Sequence, residues 1–227
     1  MVKSLTSWFG RLRGNSEVSG GAVSSHRRGT RESSSQPRAS SALREFFEGI
    51  RDQIGLNIID FSGACQENVT FITGLRHRLY AESFPRAVDA VFGANADAAQ
   101  LRSPERIDAF LQYSLNFEPE SVDAILLWDG LEWLEPDGQR AVVNRIFEIL
   151  RPNGMVFAVF HTESAVPAVP IHFFRVQDPE TLVVTDTGMD RSHRLFSNRS
   201  VEKLFERFQS VKFFLSRDKV REVIVRR

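Results

Sequence analysis

The residues best suited to chemistry lie where apolar, strand-like runs end. Asp60, Glu82 and Trp128 each close such a run. Short apolar runs are typical of buried strands, and open α/β sheets bind ligands beyond the carboxyl ends of their strands. For Asp60 and Glu82 two interpretations stay open: a strand-end acid that organises the next turn, or a member of a ligand site. Trp128 either packs in the core or lines the pocket.

Histidine and cysteine supply weaker candidates. His161 follows a predicted strand and is a candidate base for an acceptor, although a lone histidine commonly has a structural role. Cys65 is the only cysteine, which excludes an intrachain disulfide and a cysteine-based zinc site and favours a reducing, cytoplasmic setting. Free cysteines are commonly buried, so we expect Cys65 to be a small buried residue rather than a nucleophile. His77, His172 and His193 lack metal-ligand spacing, so no metal site is predicted.

Alternating helical and strand-like patterns must position these residues. Helices are predicted over 41–54, 67–75, 84–92, 103–113, 137–150 and 200–208, where apolar residues recur at helical spacing. Strands are predicted over 56–61, 78–82, 122–128, 155–160, 172–184, 193–196, 211–216 and 222–227. The alternation indicates a mostly parallel sheet covered on both faces. The last two strands, joined by a short turn, predict an antiparallel edge.

Four stretches of the chain resemble class I S-adenosylmethionine-dependent methyltransferases. They are 59–68, Glu82, 121–134 and 149–157. The last is the most specific, since it is similar to a leucine-(Arg/Lys)-proline-glycine-glycine segment, with Asn153 in place of one glycine; Asn tolerates positive φ. The resemblance implies a Rossmann-like α/β domain over 41–227, with a mostly parallel seven-stranded sheet, an antiparallel C-terminal strand pair and helices on both faces.

The same resemblance implies a cofactor, S-adenosyl-L-methionine, and a place for it at the strand tips. Asp60 and Ser62 would lie near its methionine end. Glu82 would accept hydrogen bonds from both ribose hydroxyls, since a carboxylate has two oxygens. Gln112 or Trp128 would lie near the adenine or the methyl acceptor. The implied cofactor-binding residues are Asp60, Ser62, Gly63, Ala64, Glu82, Gln112 and Trp128. No catalytic residue is assigned.

The loop after Asp60 departs from the family's first motif, which has three alternating glycines. Those glycines let the backbone approach the cofactor. Here their positions hold Ser62, Ala64 and Gln66, and Gly63 falls between them. Two functions therefore stay open: methyl transfer to an unknown acceptor, or a catalytically inactive methyltransferase-fold protein acting as a binding or scaffold module. A nucleotide-dependent oxidoreductase agrees less well with the arginine-proline segment and the late strand pair.

Residues 1–40 differ in composition from the rest of the chain. Residues 1–44 hold eight basic and two acidic side chains, a charge of +6, and the remainder holds 21 basic and 27 acidic, a charge of −6. Few apolar residues follow Val23, which predicts a disordered tail. The basic tail is a candidate for contacting an acidic surface, but no aromatic residues are interleaved to make a dedicated nucleic-acid site.

One short segment of the tail has a helical pattern. Its apolar residues on one face are Leu5, Trp8, Phe9 and Leu12. Such a basic amphipathic segment suits a membrane surface or a partner, whereas the marginal stability of short helices favours a mostly unstructured end. No run of ~18 apolar residues predicts a transmembrane helix, and the first residues lack a secretory signal pattern.

Overall fold

A six-stranded sheet forms the centre of the folded part. The computed structural model describes residues 26–27, 35–94, 96–161, 168–192, 196–215 and 220–227. The strands are β3 (Asn57–Asp60), β4 (Arg78–Ala81), β5 (Val122–Trp128), β6 (Leu150–His161), β9 (Ser210–Leu215) and β10 (Val220–Arg226), in the order β4-β3-β5-β6-β10-β9. The first four are parallel, whereas β10 is antiparallel to both β6 and β9. The predicted mostly parallel sheet with an antiparallel C-terminal pair is confirmed.

The helices follow the predicted periodicity closely. They are α1 (Ser41–Glu48), α2 (Gln66–Gly74), α3 (Phe84–Phe92), α4 (Ala98–Leu101), α5 (Pro104–Ser114), α6 (Pro136–Ile149) and α7 (Asn198–Leu204), with a 3-10 turn at Gly130–Trp133. Nearly every residue of β5 is buried, so both faces of the sheet are covered there. The helix predicted over 41–54 ends at Glu48, and Ile54, at the end of the predicted range, is 66% exposed. Among the described residues, no helix is long and apolar enough to cross a membrane.

The central sheet has one strand fewer than expected within the described ranges. The chain between β4 and β5 forms α3, α4 and α5, in agreement with the helices predicted over 84–92 and 103–113, so the seventh strand that the resemblance implies has no counterpart among the described residues there. Local chemistry explains this, because Ser103 caps α5 by accepting a hydrogen bond from the Arg106 amide, and Pro104 occupies the first turn. Buried residues at helical spacing, Ile107 and Phe110, then face the core.

The arginine-proline segment of residues 151–154 belongs to the beginning of β6. The pairing of β6 with β5 is irregular there, since Val122 faces Leu150 and Ala124 faces Met155. Asn153 takes a φ of 67°, in the left-handed region. The expectation that Asn replaces a glycine there by tolerating positive φ is confirmed.

A second, antiparallel sheet packs beside the first. It consists of β1 (His26–Arg27), β2 (Ser35–Ala39), β7 (Ala168–Asp178) and β8 (Thr181–Ser192). β7 and β8 form one long hairpin, and β1 and β2 both pair with β8. The sequence predicted only strand pieces in this region, and the prediction for 193–196 falls mainly on residues outside the described ranges.

The strand β2 lies inside the tail that was predicted to be disordered, so that prediction is wrong for residues 35–39. Arg38 donates to one Glu222 carboxylate oxygen at 2.6 Å, and the Ser40 hydroxyl donates to the other at 2.6 Å. Ser40 also caps α1. One buried acid of β10, Glu222, thus anchors the end of this strand. The amphipathic segment near residue 8 lies outside the described residues.

Candidate functional site

Asp60 stands at the carboxyl end of β3, and its side chain is fully buried. Its Oδ1 accepts hydrogen bonds from the Ser62 amide at 2.9 Å and from the Trp128 indole Nε1 at 2.6 Å. Its Oδ2 accepts from the Ser62 hydroxyl at 2.9 Å and from Asn68 Nδ2 at 2.6 Å. Burial raises the pKa of this carboxyl group, and the four hydrogen bonds offset part of that rise.

The loop after β3 and the loop after β4 contact each other through their backbones. The Gly63 amide donates to the Glu82 carbonyl at 2.7 Å, and the Glu82 amide donates to the Asp60 carbonyl at 2.9 Å. Gly63 has a φ of 94°, which only glycine adopts readily, and a Cβ there would lie 3.4 Å from Ser83 Cβ. The single glycine of the loop therefore permits this close approach, and it brings Asp60 and Glu82 together.

The carboxylate of Glu82 is half-buried and points to no donor within the described part of the chain. Burial alone raises its pKa, because it removes water from the charged form. A half-buried carboxylate with both oxygens available can accept two hydroxyl protons of a ligand.

The other loop residues face away from the strand ends. Ala64 and Gln66 are exposed, and Gln66 Nε2 donates along α2 to Thr70 Oγ1 at 3.0 Å. The long Gln66 side chain therefore does not occupy a cofactor space. Cys65 caps α2 through its Sγ, and burial raises the pKa of its thiol, so it lacks the thiolate character of a nucleophile.

The hairpin strand β7 covers the carboxyl ends of β3 and β5. The Phe174 ring stacks on the Trp128 ring, with centroids 5.0 Å apart and planes 6° apart. The Val176 amide donates to Asn68 Oδ1 at 2.7 Å. At the surface, Arg175 pairs with Glu67 at 2.8 Å. Trp128 and Phe174 are only 2% and 4% exposed, so the chain itself closes the region where a ligand was expected.

A second polar group lies at the ends of β5 and β6. The two Glu132 carboxylate oxygens contact the His161 amide and His161 Nδ1, each at 2.7 Å. The His161 ring lies parallel to the His172 ring of β7, with centroids 5.9 Å apart. Glu132 thus links the 3-10 turn to β6 by hydrogen bonds. The candidate base His161 is covered by the hairpin strand β7. No group of three or more metal-ligating side chains converges in the described ranges.

Comparisons with known proteins add similar folds but no close relative. No protein-family model and no curated protein matches the sequence. A solved methyltransferase from Burkholderia thailandensis, which acts on 1,6-didemethyltoxoflavin and was solved with S-adenosylhomocysteine, is 13% identical over 82% of this chain and 76% of its own, at a TM-score of 0.45. A glycopeptide N-methyltransferase in complex with S-adenosylmethionine is 15% identical over 82% of this chain and 94% of its own, at a TM-score of 0.44.

A SAM-dependent methyltransferase from Methanosarcina mazei is 11% identical over 78% of this chain and 94% of its own, at a TM-score of 0.41.

The decisive observation is this chain's own sheet: four parallel strands, then the antiparallel strand β10 inserted between β6 and β9. The chain has the class I methyltransferase fold. It differs in having six described strands in the central sheet and a hairpin over the strand ends.

Within this methyltransferase fold, the structure gathers most of the expected site residues and separates one. Asp60, Ser62, Gly63, Glu82 and Trp128 lie on connected loops at one edge of the sheet, and Ala64 follows them on the exposed side. Gln112 does not join them. It is exposed near the end of α5, close to the connection that leads into the opposite end of β5.

Sequence reasoning missed two residues of this site, Asn68 and Phe174. Asn68 links Asp60 to the hairpin and is fully buried, although it lies on α2, where a polar residue is usually exposed. A buried Asn in the first turn of the helix after Asp60 has no recognisable pattern in one sequence. Phe174 lies far along the chain from Trp128, and only the course of the hairpin brings the two rings together.

Proposed function

We propose that this chain is an S-adenosylmethionine-dependent methyltransferase-like protein that binds its cofactor at the carboxyl ends of β3, β4 and β5 and transfers a methyl group to an acceptor. The observation that supports this most directly is the backbone contact between the loops after β3 and β4, which brings Glu82 to Gly63 at this edge of the sheet. Ligands of open α/β sheets bind at this edge. The cofactor would supply a reactive methyl sulfonium, so the protein's task would be mainly alignment.

Glu82 fits the ribose of such a cofactor. Its carboxylate is half-buried, has no donor within the described residues, and carries a pKa raised by burial. Two ribose hydroxyls donating to its oxygens would replace the water that the fold removes.

Asp60 and Trp128 do not fit the cofactor in the arrangement described. Four protein donors occupy the Asp60 carboxylate, and Phe174 covers the Trp128 ring. A ligand reaching these residues would first have to displace part of β7. No catalytic step is assigned through them.

The four hydrogen bonds to Asp60 favour a second candidate function, a catalytically inactive methyltransferase-fold protein that acts as a binding or scaffold module. In that case Asp60 would have a structural role only, as the buried acceptor that joins β3, α2 and β5. The surface that such a module offers to partners would then include the hairpin.

Calorimetric titration with S-adenosylmethionine and S-adenosylhomocysteine tests the proposal. We expect binding by the wild-type chain, weakened about 10- to 100-fold by Glu82→Gln, because hydrogen bonds to charged groups contribute about 1.5–3 kcal/mol. Asp89→Asn is the matched control, since Asp89 is another acid whose pKa is raised by burial alone, on α3. If neither ligand gives a heat of binding at millimolar concentration, in the wild type and in a variant whose hairpin is opened, the chain does not bind the cofactor. The inactive binding or scaffold module would then be the remaining candidate function.

The setting and the partners of the protein are proposals of the same kind. A reducing, cytoplasmic setting rests on the single cysteine. The charge of +6 on residues 1–44 supports a contact between the tail and an acidic surface. Binding of the full chain to anionic and to neutral lipid vesicles, compared with a chain lacking residues 1–25, measures that contribution.

A further inference from the structure

We propose that residues 174–176 of β7 form an internal plug over a ligand site. In the closed form the Phe174 ring stacks on Trp128. When the plug is displaced, the planar heteroaromatic ring of a ligand takes the same place on Trp128. The inference rests on the proposed function, because it describes how access to that same site is controlled. The ligand class is a nucleoside with a purine-like ring and a ribose.

The geometry of the ring pair is the first support. Phe174 and Trp128 are parallel within 6°, whereas Trp128 meets its other aromatic neighbour, Phe157, edge-on at 72°. Parallel stacking on an aromatic side chain is how proteins commonly hold a nucleobase. Trp128 therefore presents a flat face at the end of a central strand, and one side chain of β7 covers it.

The second support is the position of Asn68. Its Nδ2 donates to Asp60 at 2.6 Å, and its Oδ1 accepts from the Val176 amide at 2.7 Å. One buried amide thus connects the strand-end acid to the plug. When the plug leaves, Asn68 Oδ1 loses its donor, and a buried acceptor without a donor is unfavourable. A ligand that carries an N–H or O–H group would restore the lost bond.

The third support is that the plug can move without breaking the central sheet. Within the described ranges, β7 pairs only with β8. The Val176 amide is used by Asn68 and not by the central sheet. Arg175 and Glu67 form a surface ion pair, and such pairs contribute little to stability. Displacement of the plug together with β8 therefore breaks one ring stack, one buried hydrogen bond and one weak ion pair, and it exposes the buried side chains of Phe174 and Val176.

Glu82 lies at the same sheet edge as Asp60, because its backbone contacts both Gly63 and Asp60. A nucleoside whose base replaced Phe174 on Trp128 would extend its ribose along this sheet edge. The site therefore has one permanently available part, the ribose acid, and one part that the chain covers. We expect weak binding by the closed form and stronger binding once the ring is removed.

Phe174→Ala tests the plug, with adenosine and S-adenosylhomocysteine as the probes in calorimetric titration. We expect an affinity at least tenfold higher than that of the wild-type chain. Phe208→Ala is the matched control, because Phe208 is also buried but packs against Phe147 and Phe205, away from this edge. Its affinity should equal that of the wild type. Phe174→Leu keeps most of the apolar volume and removes the flat ring, so it serves if the alanine variant does not fold.

Hydrogen exchange of the Val176 amide supplies a second measurement that does not depend on activity. Saturating S-adenosylhomocysteine should speed its exchange in the wild type, because the ligand opens the plug. Equal affinities in the wild type and both Phe174 variants, with unchanged exchange at Val176, would overturn the plug and leave the proposed function standing. Absence of binding in every variant would overturn the proposed function, and the plug with it.

Discussion

At the scale of single residues, the site depends on a buried carboxylate that accepts hydrogen bonds from β5, from α2 and from the loop after β3. Asp60 on β3 accepts from Trp128 on β5, from Asn68 on α2 and from the adjacent Ser62. Trp128 has a φ of 55°, a left-handed conformation that is rare for a bulky residue. An unusual backbone conformation at the end of a central strand is maintained by its surroundings, and here the indole bond to Asp60 contributes to them.

Replacing Trp128 by Phe would keep an aromatic ring and remove one donor to Asp60. We expect a loss of about 1–3 kcal/mol in the free energy of unfolding, because a buried charge loses a hydrogen bond. The pKa of Asp60 already lies above its unfolded value, and this loss raises it further. Ionised Asp60 is therefore less favourable in the folded variant, so the destabilisation grows as pH rises above the raised pKa that Asp60 has in the wild-type fold.

Urea unfolding of Trp128→Phe and of the wild type between pH 4 and pH 8 (the range about the ordinary carboxyl and histidine pKa values) measures this effect. Loss of packing is independent of pH, so the pH-dependent part of the difference isolates the hydrogen bond. A difference that stays constant over the whole range would show that Trp128 does not stabilise the charge on Asp60.

The raised pKa of Glu82 predicts the pH dependence of ligand binding. Hydroxyl groups that donate to the ionised carboxylate lower its pKa in the complex, so binding releases a proton. The affinity for S-adenosylhomocysteine should therefore fall as pH falls through the raised pKa of Glu82. Titrations across that range, in the wild type and in Glu82→Gln, measure it. The variant should bind weakly and lack this component of the pH dependence, and an identical pH profile in both would argue against a ribose on Glu82.

At the scale of elements, the hairpin and the strand β2 form a unit that one buried acid joins to the central sheet. Glu222 on β10 is 2% exposed and accepts from Arg38 on β2 and from Ser40, the cap of α1. The Ser40 amide also donates to the Glu180 carbonyl at the tip of the hairpin. The carboxylate thus ties β10 directly to β2, and Ser40 connects it to the hairpin tip.

Glu222→Gln should lower the free energy of unfolding by about 3–5 kcal/mol, because removing one partner of a buried ion pair leaves the other charge uncompensated. Glu148→Gln is the matched control, since Glu148 forms an exposed pair with Arg145 within α6, and such pairs contribute about 0–1 kcal/mol. Chemical unfolding measures both, and hydrogen exchange at residues 35–39 should increase only in Glu222→Gln. Equal effects of the two changes would show that Glu222 does not anchor β2.

At the scale of the whole molecule, the boundary of the folded part lies within the region of basic composition. Residues 35–39 pair with β8, whereas their composition resembles that of the preceding chain, rich in Ser and Arg. The basic segment is therefore divided: its last strand belongs to the fold, and part of its charge is used inside the protein at Arg38.

Two truncations test this boundary. A chain lacking residues 1–34 keeps β2, Arg38 and Ser40 and should unfold within a few degrees of the full chain. A chain lacking residues 1–40 also loses the partners of Glu222 and the cap of α1, whose removal alone costs about 1 kcal/mol, so its midpoint should be lower by about 10 °C or more. Thermal unfolding followed by circular dichroism measures both, and equal midpoints would place the boundary after residue 40.

The sequence by itself determined the elements of this protein and the points where its strands end. Helices and strands follow from local spacing and local chemistry, as the cap at Ser103 and the left-handed Asn153 show. The acids Asp60 and Glu82 were recognisable because strand tips are local features.

Only the tertiary structure decided what surrounds them. Asn68 and Phe174 reach the site through pairing between distant segments, and no local pattern encodes that a hairpin returns over the strand ends. Likewise, the pairing of β2 with β8 and the buried position of Glu222 join residues far apart in the chain, where burial and hydrogen bonding overrode a composition typical of disorder.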